Sequence, residues 1–115
     1  FSVLSSVGLF SAGFAGIDIS ALLDGARSMD KLCRADDIWR NPAAMSAVLQ
    51  YILYKKGRRI SVFMPYAGRL RNLSEWFGQL WAESLGKSDN VGPTPVKALG
   101  VTDQHSQLQL YMQGP

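Results

Sequence analysis

Cysteine and histidine each occur once, at Cys33 and His105. A lone cysteine excludes an internal disulfide and fits a reducing compartment, so a cytoplasmic location is expected. One histidine, one cysteine and scattered carboxylates lack the spacing of a zinc or iron site, and no metal is expected. Phosphate-loop glycines and a dinucleotide fingerprint are both missing, so no nucleotide cofactor is expected. Serines are plentiful, but none stands in a nucleophile elbow. No apolar run is long enough to span a bilayer. The apolar start up to Ile17 is interrupted by Ser and Gly and has no basic leader, unlike a signal peptide. Twelve basic residues against nine acidic ones leave a net charge of +3, which suits an anionic ligand. The basic residues are scattered, however. Their nearest cluster, Lys55, Lys56, Arg58 and Arg59, follows a helix end where cations are favoured anyway. A basic stripe with interleaved aromatics is absent, which argues against nucleic acid as a partner.

What is present suffices for a packed core: 47% of the 115 residues are hydrophobic and 18% charged, which argues against wholesale disorder. Phe1 lies inside an apolar run and the chain stops at Gly114-Pro115, so residues 1–115 are read as a piece of a longer protein. Phe1 to Leu4 fits the tail of a strand. Ser5, Ser6 and Gly8 then make a small-residue turn before a short buried helix over Leu9 to Ala15. Asp18 or Ser20 opens a second helix with Leu22, Leu23, Ala26, Met29 and Cys33 on its inner face. Asn41-Pro42 is a helix start, with Asn as cap and Pro in the first turn. Met45, Val48, Leu49, Ile52 and Leu53 form that helix's stripe, and Lys55, Lys56 and Gly57 close it. Ile60 to Met64 is a short apolar run typical of a buried parallel strand, ended by Pro65-Tyr66. Ser88 to Pro95 is a loop and Val96 to Val101 a second short buried segment. Asp103 fits the cap of a last helix, although Leu108, Leu110 and Met112 also alternate as a strand would. The order helix, strand, helix points to an α/β domain with a parallel sheet flanked by helices. In such sheets ligands gather at the carboxyl ends of strands, here near Pro65 and Tyr66.

The strongest amphipathic pattern is Leu73 to Lys87. Leu73, Trp76, Phe77, Leu80 and Trp81 recur at helical spacing, with Asn72 as cap, Glu75 in the reciprocal position and Gly86 at the end. Glu83 falls about 90° from the centre of this stripe, at its rim beside Trp76 and Leu80. Gln79, one turn earlier, faces the same place. A carboxylate at such a rim is partly desolvated and suited to proton transfer, although the same spacing also fits a surface charge beside Lys87. His105, in the polar cluster Asp103 to Gln107, is the side chain best suited to proton exchange near neutral pH, and equally serves as a capping or surface group.

Four motifs together resemble the glucose-6-phosphate isomerase family: F-S-V-L-S-S-V-G (Phe1 to Gly8), M-P-Y (Met64 to Tyr66), Q-L-W-A-E-S-L-G-K (Gln79 to Lys87) and G-V-T-D-Q-H-S-Q-L-Q-L (Gly100 to Leu110). T-P-V-K-A-L-G before the last one fits the bacterial members. The motifs stand in the family's order at fitting spacing and cover essentially the whole chain. The resemblance implies a partial SIS-type (flavodoxin-like) sugar-phosphate isomerase domain over residues 1–115, with no cofactor. It implies interconversion of glucose 6-phosphate and fructose 6-phosphate through a cis-enediol. Glu83 would be the base between C1 and C2, and Gln79 would contact substrate. His105 would assist ring opening, reaching the active site of the partner subunit in a homodimer. The family's Gly-Gly-Arg and its Ser/Thr phosphate loop belong upstream of Phe1 and its catalytic lysine downstream of Pro115. Residues 1–115 alone are therefore expected to be inactive. Two other readings compete: a non-catalytic sugar-phosphate sensor of the SIS fold, and a helix-rich packing module. Glu83 and Gln79 on one helical face distinguish the isomerase, because a sensor needs no base.

Overall fold

A computed structural model describes residues 2–114. Two compact units form, one up to Leu49 and one from Gln50 onward, and the division falls within a helix.

In the first unit, α1 (Ser6–Phe14) packs on α2 (Ile19–Cys33), and α3 (Pro42–Lys55) begins. Residues 3 and 4 form a turn, not the expected end of a strand, and Phe1 lies outside the described residues. Ser5 is the residue before α1, so the helix starts earlier than expected. It is also largely exposed: Val7, Phe10 and Phe14 face outward, with the two rings 5.4 Å apart. A helix apolar on all sides cannot cover its whole circumference with one neighbouring helix. Asp18, not Ser20, caps α2, accepting the Ala21 amide at 3.0 Å. Leu22, Leu23, Ala26 and Cys33 are half-buried as expected, while Met29 is exposed.

The buried Asn41 joins two helices with one side chain. Its amide donates to the carbonyls of Cys33 (2.8 Å) and Ala35 (3.0 Å), and its oxygen accepts the Ala44 amide (3.0 Å) at the start of α3. Pro42 follows at the first helical position, where no amide donor is needed.

In the second unit, α3 ends at a left-handed Gly57 (φ +89°). Arg58 N–H donates to Leu53 and Gly57 N–H to Tyr54, a paired closure that satisfies the last carbonyls. Strand β1 (Ile60–Phe63) pairs in parallel with β2 (Thr94–Lys97), with Ile60 opposite Thr94 and Phe63 opposite Lys97. A 3₁₀ turn (Gly68–Leu70) and α4 (Arg71–Leu85) connect them, and α5 (Thr102–Gln113) follows β2. The fold is thus the expected α/β arrangement of a parallel sheet with helices.

Four details differ from expectation. Strand β1 is incompletely covered: Ser61 is buried and Val62 and Phe63 half-buried, but Ile60 is 59% exposed. With two strands in the described residues, each is an edge. Strand β2 starts at Thr94, inside the expected loop. The Thr94 amide donates to the carbonyl of Arg59, just before β1, and the Ala98 amide to that of Phe63. The nitrogen of Pro95 therefore lies on the other side, where its missing N–H breaks no β1–β2 bond. Helix α4 starts at Arg71, so Asn72 lies within it rather than capping it. The inner face of α4 is also turned by about 90° from the apolar stripe, at roughly 100° per residue. It runs through Ser74, Phe77, Gly78, Trp81 and Leu85, leaving Leu73 and Trp76 exposed.

Small residues explain the rotation of α4. Gly78 lies against the aliphatic stem of Lys97, 3.5 Å from where a Cβ would be. Ser74 is buried, its hydroxyl satisfied by the Arg71 carbonyl at 2.6 Å. Phe77 stacks on Phe63 (4.7 Å) and meets Trp81 (5.2 Å), whose indole N–H donates to the Pro93 carbonyl at 2.9 Å. These half-buried rings pack α4 against β1.

Candidate active site

Gln79 and Glu83 come together as the four-residue spacing requires. Gln79 Nε2 donates to Glu83 Oε1 at 3.0 Å, on the solvent side of α4. Because the inner face is rotated, Glu83 is exposed instead of lying at a desolvated rim. Gln79 also borders an open cleft shared with Glu75, Trp76, Gly78, Pro95 and Lys97. Lys97 and Glu75 form an ion pair across this cleft, linking β2 to α4. Sequence reasoning missed Lys97, because a contact between residues so far apart in the chain has no local signature.

His105 is exposed near the N-terminal end of α5, where it borders a shallow groove with Val101, Gln104 and Leu108. Among the described residues it makes no hydrogen bond to Gln79 or Glu83. The structure therefore assembles Gln79 with Glu83 and holds His105 on a separate element. Leu108, Leu110 and Met112 are helical, which decides the strand alternative. Asp103 is not the cap of α5. It lies in the first turn, its carboxylate accepting the Leu99 amide and, at 3.3 Å, an N–H of Gln107.

The exits of both strands converge. Met64-Pro65-Tyr66 leaves β1, Ala98-Leu99-Gly100 leaves β2, and the Gly100 amide donates to the Pro65 carbonyl at 2.7 Å. The next residue, Val101, has φ +71° and ψ −62°, the conformation at the centre of a strained γ-turn and an outlier for a β-branched side chain. Val101 is 71% exposed, so its side chain contributes little packing in return. In the full-length protein, Val101→Gly is expected to raise unfolding stability by roughly 1 kcal/mol, strain relief exceeding the entropic cost of glycine. The denaturation midpoint measures this, and a lower midpoint would show that the turn is not strained.

Among the described residues no group of His, Cys, Asp and Glu is gathered as a metal requires, and no helix is long and apolar enough to cross a membrane.

A parallel sheet flanked by helices, with a glutamine–glutamate pair on the open face of one of them, defines an α/β domain. The comparisons with known proteins carry this further. All 115 residues match the family described as phosphoglucose isomerase. A probable glucose-6-phosphate isomerase of Methanococcus maripaludis is 56% identical over 115 residues, 100% of this chain and 26% of that protein. A glucose-6-phosphate isomerase of Carboxydothermus hydrogenoformans is 48% identical over 122 residues, again covering 100% of this chain and 26% of its own length. The crystal structure of a hypothetical protein from Thermus thermophilus superposes with a TM-score of 0.87 at 43% identity, over 99% of this chain and 28% of that one. The chain belongs to the phosphoglucose isomerase family. It spans about a quarter of the length of the relatives it matches.

Proposed function

We propose that residues 1–115 form part of one SIS-type domain of a longer glucose-6-phosphate isomerase. The observation that carries this reading is the Gln79–Glu83 pair on one face of α4, in a chain matched throughout by the family. A sensor of sugar phosphates has use for a glutamine but none for a paired base, so the catalytic reading is favoured over the regulatory one.

Isomerisation moves hydrogen within one molecule and needs no external oxidant. With the sugar in its open-chain form, the Glu83 carboxylate takes the proton from C2 of the aldose, and the C2 electron pair forms the enediolate. A proton passes between O2 and O1, and Glu83 returns its proton to C1 on the same face, giving the ketose. Gln79, held one turn away, orients the carboxylate and offers an amide to a sugar hydroxyl. A carboxylate serves best as base when water is withdrawn from it. The exposed face of α4 is open to substrate and to other parts of the full-length protein for this purpose. His105 opens the sugar ring, reaching the active site of the partner subunit in a homodimer, and its exposure suits that role. The groups that bind phosphate and stabilise the enediolate belong to the rest of the protein, so residues 1–115 alone are inactive. The cytoplasm, where phosphorylated sugars are retained, is the proposed location.

Incubating the full-length protein with glucose 6-phosphate in deuterium oxide tests the reading. Fructose 6-phosphate should accumulate, and recovered aldose should carry deuterium at C2. Binding without product or exchange would identify a sensor instead.

A further inference from the structure

We propose that Tyr66 is a positioning residue for His105, acting through Gln104 and Gly100; this rests on the reading of His105 as the ring-opening group. Tyr66 leaves the end of β1, and its hydroxyl donates to the side-chain oxygen of Gln104, the residue immediately before His105. Its ring lies against the turn that leads into α5. A Cβ at Gly100 would stand 2.5 Å from the Tyr66 ring carbon Cγ and 2.8 Å from its Cα, closer than atoms approach. Only glycine lets the two strand exits meet, and the Gly100 amide fixes the approach through Pro65.

His105 hangs from this turn. Its amide donates to the carbonyl of the strained Val101 at 3.1 Å, and the Asp103 carboxylate holds the Leu99 amide from the other side. The first turn of α5 is thus fastened to β1 by Tyr66 and to the end of β2 by Asp103. Backbone strain at Val101 persists only where the surroundings over-determine the conformation, and these contacts supply that constraint. Tyr66 is 64% exposed, so the bond from its hydroxyl contributes little to folding. Its effect is directional: it fixes Gln104 and with it the orientation of the following residue.

The test is a double-mutant cycle in the full-length enzyme, with Tyr66→Phe, His105→Ala and the pair, assayed on the cyclic substrate and on an open-chain one. Tyr66→Phe removes one oxygen and retains the ring against Gly100, so the melting temperature should be unchanged. We expect kcat/KM for the cyclic substrate to fall roughly fivefold, the scale of one lost hydrogen bond, with the open-chain substrate unaffected. In the His105→Ala background, Tyr66→Phe should cause no further loss. The same loss in both backgrounds, an equal loss on both substrates, or no loss at all would overturn the positioning role. If His105→Ala alone spared turnover of the cyclic substrate, the ring-opening reading itself would fail, and that outcome is visible separately.

Discussion

With Glu83 as the proposed base, Glu83→Gln is expected to lower kcat of the full-length protein by at least about 10²-fold, with substrate affinity nearly intact. The substitution retains size and the hydrogen bond with Gln79, since an amide oxygen accepts from Nε2 as the carboxylate does now. It removes only the ability to take up a proton. Loss confined to kcat is the signature of an interaction that matters in the transition state rather than in binding. Exchange of the C2 proton with solvent should disappear together with turnover, because both steps use the same base. A Glu83→Gln enzyme that exchanged this proton at the normal rate would place the base elsewhere.

His105→Ala is expected to slow turnover of the cyclic substrate by about 10²-fold, the lower end of what a positioned proton-transfer group contributes. An open-chain substrate bypasses ring opening and should react at close to the normal rate. The contrast between the two substrates isolates the step, since a general loss of folding would lower both rates. Equal loss with both substrates would remove ring opening as the role of this side chain. His105 is exposed near one end of α5, as a group that serves a neighbouring subunit needs to be.

Elements set by local chemistry were legible in the sequence. Asn41-Pro42 and Gly57 mark their helix ends through bonds to residues a few positions away, and the structure shows those bonds. The apolar run from Ile60 reads as a strand from its shortness and composition, although its partner β2 lies far along the chain. Helix α4 was legible in existence but not in orientation. Counting apolar residues gives no weight to Gly78 and Ser74, whose small size brings the helix close to β2. The rotation that follows exposes Glu83, although its pairing with Gln79 depends only on the four-residue spacing and is legible in the sequence. Pro95 reads as a breaker because its missing N–H is costly only on the side that pairs, and sequence does not say which side that is. Contacts between distant residues, Tyr66 with Gln104 and Glu75 with Lys97, left no trace in the chain. The roles proposed for Gln79, Glu83 and His105 rest on motif resemblance, since their spacing alone also describes ordinary surface residues.

The hydrogen bonds of Asn41 also bear on the order in which the chain assembles. They close loops of eight, six and three residues, whereas Ile60 and Thr94, the first pair of the parallel ladder, stand thirty-four positions apart (94 − 60). Loop closure costs more as the loop lengthens, and parallel pairing cannot begin until the intervening helix brings the strands together. The junction at Asn41 can therefore form early, on the timescale of local helix formation, while the β1–β2 ladder waits for α4. The slow step of folding then falls on the half of the chain that carries Gln79, Glu83 and His105, and the proposed chemistry becomes available only after this longer loop has closed.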